Sequence, residues 1–334
     1  MKAKHMILII LISIVLAGCG NKNVDTGIIE IKSGEEANSE DENIDYEMIQ
    51  PDDTTTSDND GQSGNQAGSS DNESNDGSNG QSHEKAADTE SDNNKDDDIE
   101  LPGKVTAFGD KSTMNNNVNG RELPIYCVET EENKVALSFD AAWGAEDTQE
   151  ILDILEKHDI HVTFFATGGW VESYPDDVKA VLAAGHDLGN HSENHKNMSK
   201  LSNEDKEEEL MSVHRKVKDL TGYDMYLFRP PYGDYDNDVI NVAKDCGYYA
   251  IQWDVDSLDW QNKGVDSIIE TVTKHKNLGN GSIILCHNGA DYTAQALDTL
   301  ITKLEEQGYE IVPVSELIYK DGFHLNYEGR QIQD

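Results

Sequence analysis

Two histidines four residues apart, His191 and His195, carry the chemistry that is simplest to name in this 334-residue sequence. If residues 189–195 turn helical, both imidazoles lie on one face and can bind the same metal ion. Asn190 and Ser192 are placed to hold the two imidazoles as hydrogen-bonding neighbours. Zinc or a similar divalent ion suits such a pair, although the same spacing also occurs on solvated helices, so the pair alone leaves both interpretations open.

Four more short stretches carry polar side chains directly after predicted strands. They are residues 138–140, 229–233, 256–260 and 285–287. Since α/β barrels build their active sites from loops at the carboxyl ends of several strands, we expect these stretches to meet at one rim. The combination predicts a hydrolytic site.

A carboxylate and an arginine form the first predicted pair. Asp140 ends an apolar strand and is either a cap for the next helix or a base that faces the barrel mouth. Arg229 favours the base, because Pro230 and Pro231 restrict φ and hold a planar guanidinium where it can orient a carboxylate. A plain turn needs no arginine at this position.

A histidine and a second carboxylate form the other predicted pair. His287 ends an apolar strand, and Asp259 is the natural partner to fix its tautomer and raise its pKa, so that it can act as a general acid. A structural core histidine is the alternative. Trp253 and Trp260 are candidates to line a sugar-binding groove.

Residues from about 134 to 319 resemble the NodB-homology polysaccharide deacetylases, carbohydrate esterase family four, and among these the sporulation-type peptidoglycan deacetylases. Five motifs in matching order carry the resemblance: Ser138-Phe139-Asp140-Ala141, His191 to His195, Arg229 to Gly233, Asp256 to Trp260, and Leu285 to His287. The resemblance implies that Asp140 is the base, that Arg229 orients it, and that His191 and His195 bind the metal ion. It also implies that Tyr232 donates its backbone N–H to the oxyanion, and that His287 is the acid, with Asp259 tuning its pKa.

One position departs from the family pattern. The second aspartate of the first motif is the family's third metal ligand, and this sequence has Ala141 there. Catalytic zinc normally has three protein ligands and a water. Asp140 itself is the first choice to complete the site, Glu146 or Asp147 from the next loop is the second, and a weak or inactive site is the third.

The elements that position these residues alternate between strands and helices. Seven predicted strands, at residues 135–139, 162–166, 186–190, 226–228, 249–253, 282–285 and 309–312, are separated by helical patterns. This alternation predicts an α/β fold, a distorted seven-stranded (β/α) barrel, with a flat doubly wound sheet as the alternative. The barrel is favoured because the site residues follow different strands, whereas an open sheet gathers fewer of them at one crevice.

The amino terminus predicts export and anchoring. A basic start, an apolar run and Leu16-Ala17-Gly18-Cys19 resemble the lipobox of bacterial lipoproteins, so residues 1–18 are a predicted signal peptide and Cys19 the lipidated residue. An ordinary signal peptide with an incidental cysteine is the alternative. We expect an extracytoplasmic lipoprotein of a Gram-positive bacterium, held to the membrane by its lipid.

Composition separates a tether from a globular region. Residues 21–100 hold 24 acidic and 4 basic side chains, half of the chain's net charge of −40, and too few apolar residues to form a core. We therefore predict a disordered acidic linker (19–100), a lead-in segment (101–132), the deacetylase domain (133–320) and a tail (321–334). Without a basic patch, nucleic acid is not an expected partner.

The predicted function is metal-dependent removal of N-acetyl groups from cell-wall glycan, either peptidoglycan or a chitin-like polymer of N-acetylhexosamines. Zinc is the expected metal, with cobalt or a similar ion as alternatives, and the protein is expected to be a monomer. A glycan-binding pseudoenzyme on the same fold is one alternative. An O-acetyl esterase acting on xylan or a similar polysaccharide is the other.

Overall fold

A computed structural model describes residues 108–334 of the chain. Its strands are β1 (Met114–Asn115), β2 (Asn117–Val118), β3 (Arg121–Glu122), β4 (Cys127–Val128), β5 (Lys134–Ala141), β6 (Thr163–Ala166), β7 (Asp187–Asn190), β8 (Leu227–Phe228), β9 (Tyr249–Ala250), β10 (Val255–Asp256), β11 (Ile283–His287), β12 (Glu310–Val312), β13 (Phe323–Leu325) and β14 (Arg330–Gln333). Its α-helices are α1 (Thr148–Lys157), α2 (Gly168–Ser173), α3 (Pro175–Ala183), α4 (Asn203–Thr221), α5 (Asn237–Asp245), α6 (Val265–Thr273), α7 (Thr293–Glu306) and α8 (Val314–Leu317). Short 3₁₀ turns cover Lys111–Thr113, Met198–Lys200, Pro231–Gly233 and Asp259–Gln261.

The central sheet is parallel and curled into a barrel. Its strands run in the order β10-β11-β5-β6-β7-β8-β9, with β12 paired to β5. Strands β9 and β10 lie at opposite ends of this order, yet only residues 251–254 separate them in the chain. That segment spans about 19 Å at most, whereas a flat sheet of seven strands is about 29 Å wide. The two edges must therefore approach each other, which confirms the predicted α/β barrel and excludes the flat sheet.

The strand predicted at residues 249–253 is wrong in its second half. The chain pairs with β8 only as far as Ile251, whose N–H donates to the carbonyl of Phe228 at 2.8 Å. Three residues later the N–H of Asp254 donates to Ile283 on β11 at 3.2 Å. One predicted strand thus becomes two short ones, β9 and β10. The stretch between them crosses the seam of the barrel, which is the gap between these two edge strands.

The lead-in segment fills that seam. Ile125 forms a bridge with Ile251, and Cys127 forms one with Ser282, beside β11. A second sheet, in the order β1-β13-β14-β4, joins the lead-in segment to the last residues of the chain. Phe323 of β13 is fully buried in an apolar cluster with Met114. Both ends of the described chain therefore pack onto the barrel.

Local signals explain where the helices begin and end. Helix α3 begins at Pro175, because the fixed φ of proline suits the first helical turn. Helix α4 is capped by Ser202, whose hydroxyl accepts the N–H of Asp205, and it ends at Gly222 with a left-handed φ of 76°. Its buried residues Leu210, Val213 and Val217 belong to the main apolar cluster between sheet and helices.

Several predictions fall outside the described residues: the signal peptide (1–18), Cys19 and the acidic linker (19–100). Among residues 108–334 there is no helix long and apolar enough to cross a membrane. The cysteines of this range, Cys127, Cys246 and Cys286, form no disulfide.

Candidate active site

Asp140 and Arg229 form a buried ion pair at the mouth of the barrel. Nη1 of Arg229 donates to Oδ1 of Asp140 at 2.7 Å, and Nη2 donates to the hydroxyl of Ser138 at 2.9 Å. The guanidinium also lies over the ring of Phe165, 4.1 Å from its centre. Burial alone would raise the pKa of Asp140, but nearby positive charge, above all that of Arg229, outweighs it and holds this pKa below its usual value. Asp140 is therefore an ionised carboxylate.

Asp259 and His287 form the second buried pair. Oδ1 of Asp259 accepts from Nδ1 of His287 at 2.7 Å, and Oδ2 accepts the backbone N–H of His287 at 2.7 Å. The hydroxyl of Thr293 donates to the same Oδ2 at 2.7 Å. Burial disfavours the imidazolium, but the charges of Asp259, Asp140 and Asp256 raise the pKa of His287 above its usual value. The imidazole thus has a fixed tautomer, with Nε2 left free to exchange a proton.

The two pairs lie side by side because of strand register. Asp140 on β5 pairs directly with His287 on β11. The N–H of Asn288 donates to the carbonyl of Asp140 at 3.0 Å, which extends this pairing by one residue. A carboxylate and an imidazole with opposite pKa shifts therefore stand at one rim, the arrangement that general acid-base catalysis requires.

The two histidines of the second motif lie in a loop, so the helix expected at residues 189–195 is wrong. Ser192 and His195 have left-handed φ values of 65° and 52°, which a right-handed helix cannot continue. Instead, Oδ1 of Asn190 accepts the N–H of Ser192 at 2.9 Å, and the Ser192 hydroxyl accepts the N–H of His195 at 3.0 Å. The two imidazole centres still lie only 4.9 Å apart.

Asn190 and Ser192 hold the backbone of this loop rather than the imidazoles, which corrects the expected role. The partner of the His191 ring is the carbonyl of Arg229, 2.8 Å from Nδ1. Since a carbonyl oxygen only accepts, Nδ1 carries the proton and Nε2 presents a lone pair. Burial lowers the pKa of His191 and lowers that of His195 to about 3. Both rings are neutral, the form that binds metals.

The donor set falls short of a complete catalytic metal site. Nε2 of His191 faces Oδ2 of Asp140 at 3.5 Å, but the other oxygen of Asp140 is held by Arg229. Asp147 accepts the N–H of Gly289 through both carboxylate oxygens, at 2.9 and 3.1 Å. Across residues 108–334 no group of three histidine, cysteine or carboxylate side chains is placed to hold a metal ion. The residues present fit two protein ligands and not the three of a typical catalytic zinc.

Ala141 explains the shortfall. Its side chain is fully buried and belongs to the apolar cluster between the sheet and the helices, together with Phe139. A methyl group there packs well in the apolar core, but it has no lone pair with which to bind a metal ion. The expected third ligand from Glu146 or Asp147 is not formed in this structure.

Exposed aromatic side chains surround the site. Tyr232 is 48% exposed, has a left-handed φ of 61°, and places its ring 4.5 Å from that of His195. Trp260 is 42% exposed, and its backbone N–H donates to Oδ1 of Asp259 at 2.8 Å. Trp253 is half-buried, with the Arg229 guanidinium 5.5 Å from its ring. Of the two tryptophans expected in a groove, only Trp260 is exposed.

Sequence reasoning missed Trp143, which is 54% exposed and lies against the rings of both His195 and His287. A signal was available, because a tryptophan three residues after Asp140 falls on a loop at the carboxyl end of a strand. It also missed the main-chain carbonyl of Arg229 as the partner of His191, since backbone acceptors leave no mark in side-chain patterns.

Comparison with known proteins places the chain among the polysaccharide deacetylases. The sequence model of the family described as Polysaccharide deacetylase matches residues 128–251. A peptidoglycan-N-acetylglucosamine deacetylase of Bacillus cereus is 36% identical over 196 residues, which cover 57% of this chain and 91% of that protein. The peptidoglycan-N-acetylglucosamine deacetylase PgdA of Listeria monocytogenes is 36% identical over 184 residues, 55% of this chain and 38% of its own length.

One similar solved structure is a CE4 family pseudoenzyme from Bacillus anthracis. It is 33% identical, with a TM-score of 0.57, and the match covers 64% of this chain and 73% of that one. A mutant of the same protein is described as having restored enzymatic activity. Two curated relatives are much longer than the match, since this chain covers only 38% and 60% of their lengths.

The fold and the site define a class of (β/α) barrel proteins that carry a carboxylate and an imidazole side by side at one rim. The chain belongs to the NodB-type polysaccharide deacetylases, carbohydrate esterase family four. Deacetylases of this family generally depend on a divalent metal ion. At the second aspartate of the first motif, this member has Ala141.

Proposed function

We propose that this protein removes N-acetyl groups from a cell-wall glycan, either peptidoglycan or a chitin-like polymer of N-acetylhexosamines. The observation that carries the proposal is the direct pairing of Asp140 with His287 across β5 and β11. Each residue has its own buried partner of opposite charge, Arg229 and Asp259. A surface that only binds glycan has no use for an acid with its own orienting carboxylate.

The proposed chemistry uses these residues in two proton transfers. Asp140, ionised beside Arg229, takes a proton from the water that attacks the amide carbonyl. The backbone N–H of Tyr232 donates to the oxyanion that develops on the carbonyl oxygen. His287, protonated with the help of Asp259, then gives its proton to the departing amine nitrogen, so that acetate and a free amine are formed.

We also propose that His191 and His195 are the protein ligands of a divalent ion, with zinc first and cobalt or a similar ion as alternatives. Their neutral state and the lone pair on Nε2 of His191 support this. Because the described residues supply two ligands, we expect weaker metal binding than a three-ligand site provides. Trp260 is proposed to contact the substrate.

The second candidate function is a glycan-binding protein without hydrolytic activity. Ala141 and the missing third ligand favour it, as does the similarity to the Bacillus anthracis pseudoenzyme. An O-acetyl esterase would use the same residues, and no feature of the described site favours it over the amidase.

Acetate release separates these functions. The purified protein is stripped with a chelator, supplied with zinc or cobalt, and incubated with N-acetylglucosamine oligomers, peptidoglycan and O-acetylated xylan. We expect metal-dependent acetate release from the first two. Acetate from xylan alone would instead assign the esterase, and binding of the oligomers without any acetate would assign the glycan-binding protein.

We further propose an extracytoplasmic protein anchored through a lipid on Cys19, with the acidic linker as a tether, acting as a monomer on the cell wall. The lipobox-like sequence at residues 16–19 and the relatives named as peptidoglycan deacetylases support this location.

A further inference from the structure

Trp143 is an exposed aromatic side chain for which the proposed chemistry has no role. Four large apolar side chains are exposed among residues 108–334. Three of them, Trp143, Tyr232 and Trp260, lie at the candidate active site, and the fourth, Tyr327, lies in the turn between β13 and β14. An exposed apolar patch of this kind, rimmed by polar groups, marks a binding surface.

The indole of Trp143 lies close to two of the imidazoles in the site. Its ring centre lies 5.6 Å from that of His195 and 6.0 Å from that of His287. One neighbour is thus a proposed metal ligand and the other the proposed acid. A group that contacts both imidazoles would therefore lie next to the indole.

The backbone of the loop that carries Trp143 makes hydrogen bonds and close contacts with neighbouring residues. Two buried donors converge on the carbonyl of Gly144: Nε1 of Trp170 at 3.1 Å and Nδ2 of Asn288 at 3.0 Å. Gly289 also packs closely against this residue, since an added Cβ would lie 3.3 Å from the backbone of Gly144. These contacts hold the backbone of the residue next to Trp143.

We propose that Trp143 is the stacking platform for the hexosamine ring whose acetamido group is attacked, an inference that rests on the proposed deacetylase function. A sugar ring has apolar C–H faces and polar edges, and an indole offers a large flat apolar surface at low entropic cost. Held on Trp143, the ring directs its substituents towards the imidazoles of His195 and His287. The substrate class is therefore a polymer of N-acetylhexosamine that binds through ring stacking.

The test measures binding and turnover separately. Binding of an N-acetylglucosamine oligomer is followed by calorimetry, and acetate is assayed in the same samples. We expect Trp143→Ala to weaken binding about tenfold, in line with the loss of a stacked aromatic contact, and to raise KM more than it lowers kcat. Trp143→Phe should retain most of the affinity, because a smaller flat ring remains.

Two further variants control the interpretation. Tyr327→Ala removes an even more exposed aromatic ring from a turn outside the site and should bind like the parent. Trp170→Phe keeps a buried ring but removes the donor to Gly144, so it should weaken binding less than Trp143→Ala does. Equal affinity of Trp143→Ala and the parent, or an oligomer that the parent does not bind, would overturn the inference.

Higher turnover in Trp143→Ala would also overturn it, because the indole would then obstruct the site. The proposed function fails in a different way: a parent protein that binds the oligomer but releases no acetate is not a deacetylase. In that case the loss of binding in Trp143→Ala still supports the platform.

Discussion

Asp140 and His287 occupy directly paired positions on two neighbouring parallel strands, and each influences the ionisation of the other. The positive charge of His287 helps to lower the pKa of Asp140, and the negative charge of Asp140 helps to raise the pKa of His287. The barrel thus places an ionised base beside an acid whose protonated form persists to higher pH than that of an ordinary imidazole. The buried partners Arg229 and Asp259 fix their orientation.

Removing the charge of Asp259 should shift the pH dependence of turnover. The pKa of His287 is raised mainly by Asp259 against burial, so the acid form persists to higher pH and is lost as pH rises through this pKa. In Asp259→Asn the burial cost prevails and the pKa of His287 falls. The basic limb of the kcat profile should therefore move to lower pH, with about a 10²-fold loss of kcat at neutral pH.

Thr293→Val is the matched control for that profile, because it removes a hydrogen bond to Asp259 and leaves its charge in place. It should lower kcat less and shift the basic limb less than Asp259→Asn. A profile in Asp259→Asn with the basic limb at the parental pH would show that His287 is not the acid.

Restoring a carboxylate in the first motif should strengthen metal binding. Ala141 is fully buried, so the new and unpaired carboxylate of Ala141→Asp loses its hydration and lowers stability in the absence of metal. If the position reaches the ion held by His191 and His195, zinc should restore that stability and raise the melting temperature more than it does in the parent. Thermal unfolding with and without zinc, beside a calorimetric titration, measures both effects.

Ala141→Asn separates charge from size in this experiment, because its amide has a similar volume and is a poor zinc ligand. It should lose stability in the core without the recovery in zinc. If zinc binds Ala141→Asp no more tightly than the parent, the metal site is not short of a ligand at this position.

The second sheet should contribute to the stability of the barrel without taking part in its chemistry. Phe323 is fully buried between the lead-in segment and the end of the chain. Phe323→Ala should lower the free energy of unfolding by about 3 kcal/mol or more, as other buried phenylalanines do. Urea unfolding measures this, with Tyr327→Ala as a control expected to change little. A loss below about 1 kcal/mol would mean that the sheet is not part of the folded core.

Membrane attachment should depend on Cys19. Lipidation at this residue would supply membrane affinity that an acidic segment cannot, since anionic lipids repel negative charge. Cys19→Ala should therefore leave the membrane fraction and appear in the medium or the cell wall. Fractionation of cells that express the parent and the variant is the measurement, and equal membrane retention would contradict the lipoprotein assignment.

The sequence predicts the barrel well where signals are local. The apolar runs that become β5 and β11 and the caps of α4 at Ser202 and Gly222 follow from nearest neighbours in the chain. The second sheet does not, because its strands are two to four residues long, and β1 pairs with β13 and β4 with β14 across about two hundred residues of sequence. Such short segments show no periodicity, and only tertiary contacts select them.

The candidate site, too, is predicted in some parts and not in others. Asp140, Arg229, Asp259 and His287 are brought together as predicted, because the ends of parallel strands meet at one rim. The loop around His191 departs from the prediction, since its left-handed turns are set by the Asn190 and Ser192 hydrogen bonds and not by helical spacing. The short distances from the His195 ring to the rings of Trp143 and Tyr232 follow from tertiary packing alone.

The most direct test of the account is acetate release from an N-acetylglucosamine oligomer by the zinc-loaded parent and by Asp140→Asn. Asparagine keeps the shape of the side chain and a hydrogen bond from Arg229, but it cannot accept a proton as a base. We predict that the parent releases acetate and that Asp140→Asn is slower by about 10²-fold or more at unchanged oligomer affinity. No acetate from the parent, or equal rates in the two proteins, would contradict the assignment of this barrel as a deacetylase with Asp140 as its base.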